Sequence, residues 1–563
     1  MLRAMQGYPA VRMVPLGGLG EVGMNCLLVE TEGGRIVVDC GVLFPGGEAA
    51  LGVEVIAPDL TRLQQAGGPD AVLLTHAHED HVGALPYLLR EWPQVPVYGA
   101  RFTLGVVKGK IAEHGISADL RELAPGASAA AGGIAFESIQ VTHSVPDAVG
   151  YAIRPPGALL VHTGDFKVDW SPTDGKLLDV RRFAELGDEG VCCLLSDSTN
   201  AERPGTSISE REVGESLARI FAGPRPKGRI AVAMFGSNMH RVQSVLRAAS
   251  AIGRKVCLLG RSMQQNVRLA LDLGYLGCPP DLFVDPEAAD HFAPRELIIL
   301  CTGAQGEPRS ALSRLALGEH PTVKLEKGDL VVLSSRQIPG NERSVAHLID
   351  HLVRRGCDVL STLAGGAELI HATGHACQDE QRMMIELVRP GSFLPIHGEF
   401  RMLAAHARTA EACGVDPVGC VVAEDGDVVE IETGKPAAVR PRAAASGRIY
   451  LDSRGAFADV GEVTLRDRKL LADSGMLVCL CLIDHRSGEL VREPEILGRG
   501  VTGLDEGRLQ LARAAASAAI AELGPAARTD HATVEEAVRI AVRSVFRKGF
   551  EKRPMVLPVV IEM

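Results

Sequence analysis

Seven consecutive residues, Thr75-His76-Ala77-His78-Glu79-Asp80-His81, place three imidazoles and two carboxylates directly after the apolar run Ala71 to Leu74. Neutral imidazole and carboxylate are the ligands that zinc and manganese accept. A two-residue spacing lets His76 and His78 point the same way from an extended loop. The alternative is a solvated loop that happens to be rich in histidine, but such density at the end of a buried strand favours a metal.

The elements that must position these groups are short apolar runs, each ending in a reactive residue: Ile36 to Asp39, Val72 to His76, Ile139 to His143, Leu159 to Asp165 and Cys193 to Asp197. Runs of this length flanked by turn residues read as buried strands. In open α/β sheets the ligand crevice lies outside the carboxyl ends of strands, so His76, His143, Asp165 and Asp197 are expected to face one site. Ile230 to Phe235, Lys255 to Leu259, Leu297 to Leu300 and Leu330 to Leu333 then read as parallel strands separated by helices, a second α/β domain. Strands leading toward histidines resume at Cys357 to Leu360 and Ser392 to Ile396, as if one domain were interrupted by another. The expected limits are residues 1–205 for the first part of the outer domain, 206–355 for the insert, 356–434 for the second part, 435–447 for a linker and 448–563 for a small α+β module.

The length of 563 residues, with 46 % apolar but only 4 % aromatic side chains, requires cores filled by Val, Leu, Ile and Ala. Thirteen cysteines without a C-x-x-C pair argue for reduced thiols in the cytoplasm and against a disulfide framework or zinc knuckle. No window approaches eighteen apolar residues and no basic, then apolar, leader opens the chain, so neither a membrane span nor secretion is expected. A net charge of -11 argues at first against nucleic acid, yet Ser216 to Leu271 carries ten basic residues and no acidic one. That stretch could hold phosphates, or be a solvated face balanced by acids elsewhere.

His76-x-His78-x-Asp80-His81, with Asp39, His143 and Asp165 in order, resembles the metallo-β-lactamase superfamily. Ser196-Asp197-Ser198-Thr199-Asn200, Thr373-Gly374-His375 and Pro395-Ile396-His397-Gly398-Glu399 resemble the further motifs of its nucleic-acid-processing β-CASP branch. With Leu16 to Gly23, Phe235-Gly236-Ser237-Asn238 and Arg553 to Val559, the chain is similar to the ribonuclease J family over nearly its whole length, with Thr373 where serine is expected. The resemblance implies an αββα sandwich with an inserted β-CASP α/β domain and a small C-terminal α+β domain. It implies that His76, His78 and His143 hold one divalent ion, Zn²⁺ or Mn²⁺, and Asp80, His81 and His397 a second, with Asp165 bridging and Asp39 orienting a ligand from behind. Two such ions would lower the pKa of a shared water and neutralise a phosphodiester. Asp80, Asp197 and His375 are the implied catalytic groups, the last two outside the metal shell as the acid for the leaving oxygen.

The turn at Phe235 to Asn238 follows a strand and opens a helix, a setting that suits an anion as well as an ordinary turn. By resemblance Gly236, Ser237, Asn238, His371, Thr373 and Gly374 are the candidates for a terminal-phosphate pocket between the catalytic domains. His371 is alternatively a structural residue on a helix face one turn before His375, and His162 a core or near-site histidine. The implied activity is 5′-to-3′ exonuclease and endonuclease cleavage of RNA, preferably of 5′-monophosphorylated single strands, by a homodimer or homotetramer assembled through the C-terminal module and its Met476 to Ile483 strand, with other RNA-decay proteins as partners. The competing readings are a DNA-directed nuclease of the same fold, a hydrolase of small thioesters or lactams, and an RNA-binding scaffold.

Overall fold

The computed structural model describes residues 11–45, 51–338, 340–362, 368–452, 458–459, 461–550 and 553–563. Two units form, one of Met1–Phe44 with Val55–Arg448, the other of Pro45–Glu54 with Ile449–Met563.

In the first unit two sheets stack face to face. One has eight strands, running in space from Ala438–Arg440 through Val428–Ile431, Val11–Gly17, Cys26–Glu30, Arg35–Val38, Ala71–Leu73 and Pro96–Gly99 to Asp119–Glu122. The other has six: Phe393–Ile396, Cys193–Asp197, Leu160–His162, Val149–Arg154, Ile134–Gln140 and Ser128–Ala131. The interior between them is shared, with Val29, Val38 and Leu73 from one sheet packed with Phe136, Tyr151 and Leu195 from the other. Helices Val180–Glu189 and Gln378–Val388 cover the outer face of the second sheet through Phe183, Leu186, Met384 and Ile385. This is the αββα sandwich that the resemblance implies. Strands Leu160–His162, Cys193–Asp197 and Phe393–Ile396 are parallel neighbours, and Asp197 is in register with Ile396. Their carboxyl ends therefore deliver Asp165, Asp197 and His397 to one rim.

A six-stranded, wholly parallel sheet is inserted after Asp197, in the order Phe283–Val284, Lys255–Leu259, Leu297–Cys301, Ile230–Ala233, Leu330–Leu333, Asp358–Ser361. The last strand corrects the expectation for Cys357 to Leu360. It does not begin the return to the outer domain but pairs parallel with Leu330–Leu333, because its alternating side chains cap the insert's own core, where Leu360 is buried beside Val332 and Leu330. The expected linker is also partly structured: Ala438–Arg440 adds an antiparallel edge strand to Val428–Glu430, tucking Ala437 into the sandwich core.

The second unit centres on strand Met476–Ile483, paired antiparallel with Glu495–Arg499 and parallel with Met555–Glu562. Its exposure alternates, and Leu477, Cys479 and Cys481 pack on Ala512, Ala516, Val534 and Val538 of helices Glu506–Glu522 and His531–Phe550. Both edges of the strand are occupied, so it has no free edge for a second copy; only its outer face remains for assembly. No described helix is long and apolar enough to cross a membrane.

Candidate metal centre

The loop after Ala71–Leu73 is tied from behind by Asp39, which has φ 61°. Its Oδ1 accepts the Thr75 N-H at 2.8 Å, and its Oδ2 accepts from Thr75 Oγ1 and from His81 Nδ1, each at 2.7 Å. Because Thr75 gives its hydroxyl proton to Asp39, its oxygen accepts from His76 Nδ1 at 3.0 Å. His143 Nδ1 donates to the Gly374 carbonyl at 2.7 Å, an approach that only glycine permits, since a Cβ on Gly374 would lie 2.6 Å from the ring. These partners fix a proton on Nδ1 of all three rings, turning Nε2 toward the site and leaving it bare on His76 and His143; on His81 burial opposes charge, but Asp165, Asp80 and Asp39 outweigh it and raise the pKa.

The Nε2 atoms of His76 and His143 lie 3.0 and 3.2 Å from His78 Nδ1. One proton on His78 can satisfy only one of them. Burial first, with the neighbouring imidazoles, holds His76 and His143 well below the usual histidine range. Burial likewise brings His78 down to about 4, against the pull of Asp80 and Asp165. Three neutral nitrogens thus converge with a lone pair in excess, as a cation requires. Asp165 completes the group, its Oδ2 standing 3.6 Å from His76 Nε2 and 3.9 Å from His143 Nε2. The same oxygen is 3.3 Å from His81 Nε2, which also has the Asn25 amide nitrogen at 3.1 Å. His397, at φ 52°, donates from Nδ1 to Asp165 Oδ1 at 2.8 Å, while its Nε2 is buried, without a hydrogen-bond partner and 3.4 Å from Asp80 Oδ2. Burial works against charge on His397, yet Asp165 and Asp80 push its pKa up to about 10. The ligand atoms of His76, His78, His143 and Asp165 lie within 4.8 Å of one another, as do those of Asp80, His81 and His397. The donor set, the excess lone pair and the orphaned His397 Nε2 all fit divalent cations.

Beside these groups His375 Nδ1 donates to Asp197 Oδ2 at 2.8 Å, and Asp197 Oδ1 accepts from the N-H and hydroxyl of Thr199 at 3.0 and 2.7 Å. Burial disfavours the imidazolium, but Asp197 and Asp165 outweigh it and raise the pKa of His375.

Family models match four segments: the metallo-beta-lactamase superfamily over residues 19–104, the ribonuclease J beta-CASP domain over 227–352, the Zn-dependent metallo-hydrolase RNA specificity domain over 367–418 and the ribonuclease J C-terminal domain over 463–563. Ribonuclease J of Mycobacterium tuberculosis is 39% identical over 554 residues, covering 98% of this chain and 97% of that protein. The chain belongs to the ribonuclease J family. Ribonuclease J 1 of Streptococcus pyogenes is 35% identical over 557 residues, 98% of this chain and 97% of its own. Ribonuclease J2 of Bacillus subtilis is 34% identical over 563 residues, 98% and 99%.

Within this family member the segment bearing His371 is irregular, not helical. Its backbone bonds go to side chains: Thr373 Oγ1 accepts the His375 N-H, Asn200 Nδ2 reaches Thr373 Oγ1 and the His375 carbonyl, and Arg241 takes the Ala372 carbonyl. His162 is buried at the end of its strand and accepts the Gly164 N-H. At the Phe235 to Asn238 turn, Asn238 is committed as the helix N-cap, accepting the Arg241 N-H at 3.0 Å. A Cβ on Gly236 would lie 3.1 Å from Ser262 Oγ and 3.3 Å from Met263 N and Thr302 Cγ2, so a side chain there would crowd the turn. The basic stretch is largely neutralised from outside itself, which favours the balanced reading. Arg225 meets Asp358, Arg229 meets Glu326 and Asp329, Arg241 meets Glu210, Lys255 meets Asp281, Arg261 meets Glu113 and Arg268 meets Asp272.

Sequence reasoning assigned no individual role to Thr75, Thr199, Asn200, Arg241 or Glu380. The Glu380 carboxylate accepts from Val168 N, Ser207 N, Ser207 Oγ and Cys377 N at 2.6–2.8 Å. It staples the segment after Asp165 to both crossings between sandwich and insert. Only the proximity of Thr75, Thr199 and Asn200 to the histidine and aspartate motifs would have flagged them.

Proposed function

We propose that this metal-dependent ribonuclease cleaves RNA with two divalent cations, Zn²⁺ or Mn²⁺, one held by His76, His78 and His143, the other by Asp80, His81 and His397, with Asp165 shared. Bound there, the pair would supply Lewis acidity, lowering the pKa of a water and screening the phosphodiester charge. The observation that carries the reading is Asp165, whose Oδ2 lies within 3.9 Å of ring nitrogens from both groups. Asp39, Thr75 and Gly374 hold the rings with Nε2 inward, so little reorganisation is needed on binding. His375, anchored by Asp197, delivers a proton to the departing oxygen.

The substrate class is RNA, in keeping with the RNA specificity domain matched over 367–418, and a DNA substrate is the outcome that would displace it. A 5′-monophosphate gripped by Gly236, Ser237, His371, Thr373 and Gly374 would set the scissile bond at a fixed distance from the terminus, giving 5′-to-3′ exonuclease steps; an internal strand threaded through the same cleft would give endonuclease cuts. We place the work in the cytoplasm, where the free thiols of all thirteen cysteines are at home. The C-terminal module is assigned to homodimer or homotetramer assembly, other RNA-decay proteins are assigned as partners, and the insert is taken to run from 206 through Ser361. Digesting 5′-monophosphate, 5′-hydroxyl and 5′-triphosphate forms of one RNA and its DNA counterpart, with metal content measured on the same sample, tests the reading. Equal turnover of all termini, or of DNA, overturns it.

A further inference from the structure

Arg241 is charged, yet only 1 % exposed. It stands in the first turn of helix Met239–Ala251, directly behind the Gly236-Ser237 turn. A guanidinium has five N-H donors and no acceptor, and here every one is engaged. Nε and Nη2 grip the buried Glu210 carboxylate at 3.2 and 2.6 Å. Nη2 also donates to the Ala372 carbonyl at 3.2 Å. The two N-H groups of Nη1 serve three acceptors, the carbonyl and hydroxyl of Ser334 at 2.7 and 3.2 Å and His371 Nδ1 at 3.0 Å, so that the longer hydroxyl contact is a shared one. The Ser334 hydroxyl in turn donates to the Ile370 carbonyl at 2.6 Å. One side chain thus joins the helix behind that turn, the insert's strand end at Ser334, and the segment that carries His371 and Thr373.

The contact with His371 has a chemical consequence. A guanidinium nitrogen can only donate, so His371 Nδ1 must accept and the ring proton must sit on Nε2. The Ser334 carbonyl lies near enough to favour the opposite tautomer, but a protonated Nδ1 would then meet the guanidinium donor to donor at 3.0 Å. Burial first, then Arg241 and Arg336, keep the ring neutral, well below the ordinary histidine range. We propose that Arg241 is a positioning residue that locks His371 as the neutral Nε2-H tautomer, so that His371 offers its substrate one directed hydrogen bond and neither a positive charge nor a metal-binding lone pair.

The role of that N-H in gripping a 5′-monophosphate rests on the phosphate-pocket reading given above; the tautomer does not. Nitrogen NMR of the full-length protein with isotope-labelled histidine, His371 assigned by its disappearance in His371→Gln, reads the tautomer directly. The expected signal is the Nε2-H form at neutral pH; an Nδ1-H ring or an imidazolium overturns the inference. The second arm is KM for 5′-monophosphate against 5′-hydroxyl RNA. His371→Gln, whose amide nitrogen reaches the Nε2 position, is expected to keep the preference, whereas His371→Asn loses on the order of ten- to a hundredfold, the range for a hydrogen bond to a charged group. Arg241→Lys is expected to lose the preference with His371 present but not in the His371→Gln background, because glutamine has no tautomer to lock. Equal loss in both backgrounds shows a merely structural role and overturns the proposal. If Arg241→Lys does not fold, the NMR arm and the Gln and Asn pair still decide. An Nε2-H ring together with an unchanged preference in His371→Asn sinks the pocket and leaves the tautomer standing.

Discussion

Replacing Asp197 with Asn separates the two roles its position allows. Asp197 is 1 % exposed and holds His375 Nδ1 at 2.8 Å. The amide orientation in the variant is dictated by Thr199, whose N-H and hydroxyl both donate to Oδ1 at 3.0 and 2.7 Å. The carbonyl oxygen stays on Thr199, so the amide nitrogen faces His375 and forces Nδ1 to accept. His375 then becomes a neutral imidazole with no charge to compensate it. Two unit charges at that separation interact by about 6 kcal/mol at an effective dielectric of about 20. The amide hydrogen bond restores part of this, leaving roughly 3–5 kcal/mol on the barrier, or about 10² to 10⁴ in kcat. Single-turnover cleavage of a 5′-monophosphorylated RNA, with metal analysis of the same preparation, is the assay. Metal content is expected to match the parent. Asp165, Asp197, His375 and His397 also bring ligand atoms within 4.8 Å of one another. A variant that loses metal along with rate therefore makes Asp197 a ligand, and a rate within threefold of the parent (about 0.6 kcal/mol) removes it from the mechanism.

His78→Ala, which deletes the nitrogen shared by His76 and His143, is expected to lower metal content and activity together; full metal content in the purified variant refutes its ligand role. Ser237→Ala should reduce the preference for 5′-monophosphate over 5′-hydroxyl RNA in competition assays, and an unchanged ratio returns the turn to an ordinary strand-to-helix link. Glu380→Gln can turn its amide toward the Ser207 hydroxyl, which is free to reverse, but it leaves the Val168 N-H without an acceptor and removes the charge. A loss of about 3 kcal/mol is expected in denaturant titration, and a loss below about 1 kcal/mol contradicts the staple. Burial, with Glu21 next and Arg448 opposing, pushes the Asp425 pKa up to about 7, against an unfolded value near about 4. The folded state then binds the extra proton between those values, so this group's contribution is fully present below about 4 and is lost as pH rises through about 7. Asp425→Asn, which keeps an acceptor for the Leu19 N-H, should therefore melt higher than the parent at pH ~8, with the gap closing toward pH ~4; a gap independent of pH contradicts the assignment.

Much of the candidate site is legible in residue order because the proposed ligands follow the strand tips. Each apolar run ending in His or Asp is a buried strand whose carboxyl end must open on the ligand rim, so Ala71–Leu73, Leu160–His162, Cys193–Asp197 and Phe393–Ile396 could be placed before their pairing was known. The basic stretch from Ser216 to Leu271 shows where such reasoning stops. Arg229 and Arg241 look like free charge along the chain, but they meet Asp329, Glu326 and Glu210, which are distant in sequence. The same holds for Asp358–Ser361, whose short apolar pattern suits either sheet until parallel pairing with Leu330–Leu333 decides.

From its sequence alone this chain declares which donor atoms it owns, in what order, and that they stand at the ends of strands. Ligand type and hydrophobic period are properties of neighbouring residues and need no fold to be read. Which nitrogen of each ring is bare is another matter. His143 is set by a carbonyl 231 residues away, His81 by Asp39 42 residues before it, and His371 by a guanidinium 130 residues earlier. A tautomer depends on the single hydrogen bond made by the opposite ring nitrogen, and only tertiary structure supplies that partner.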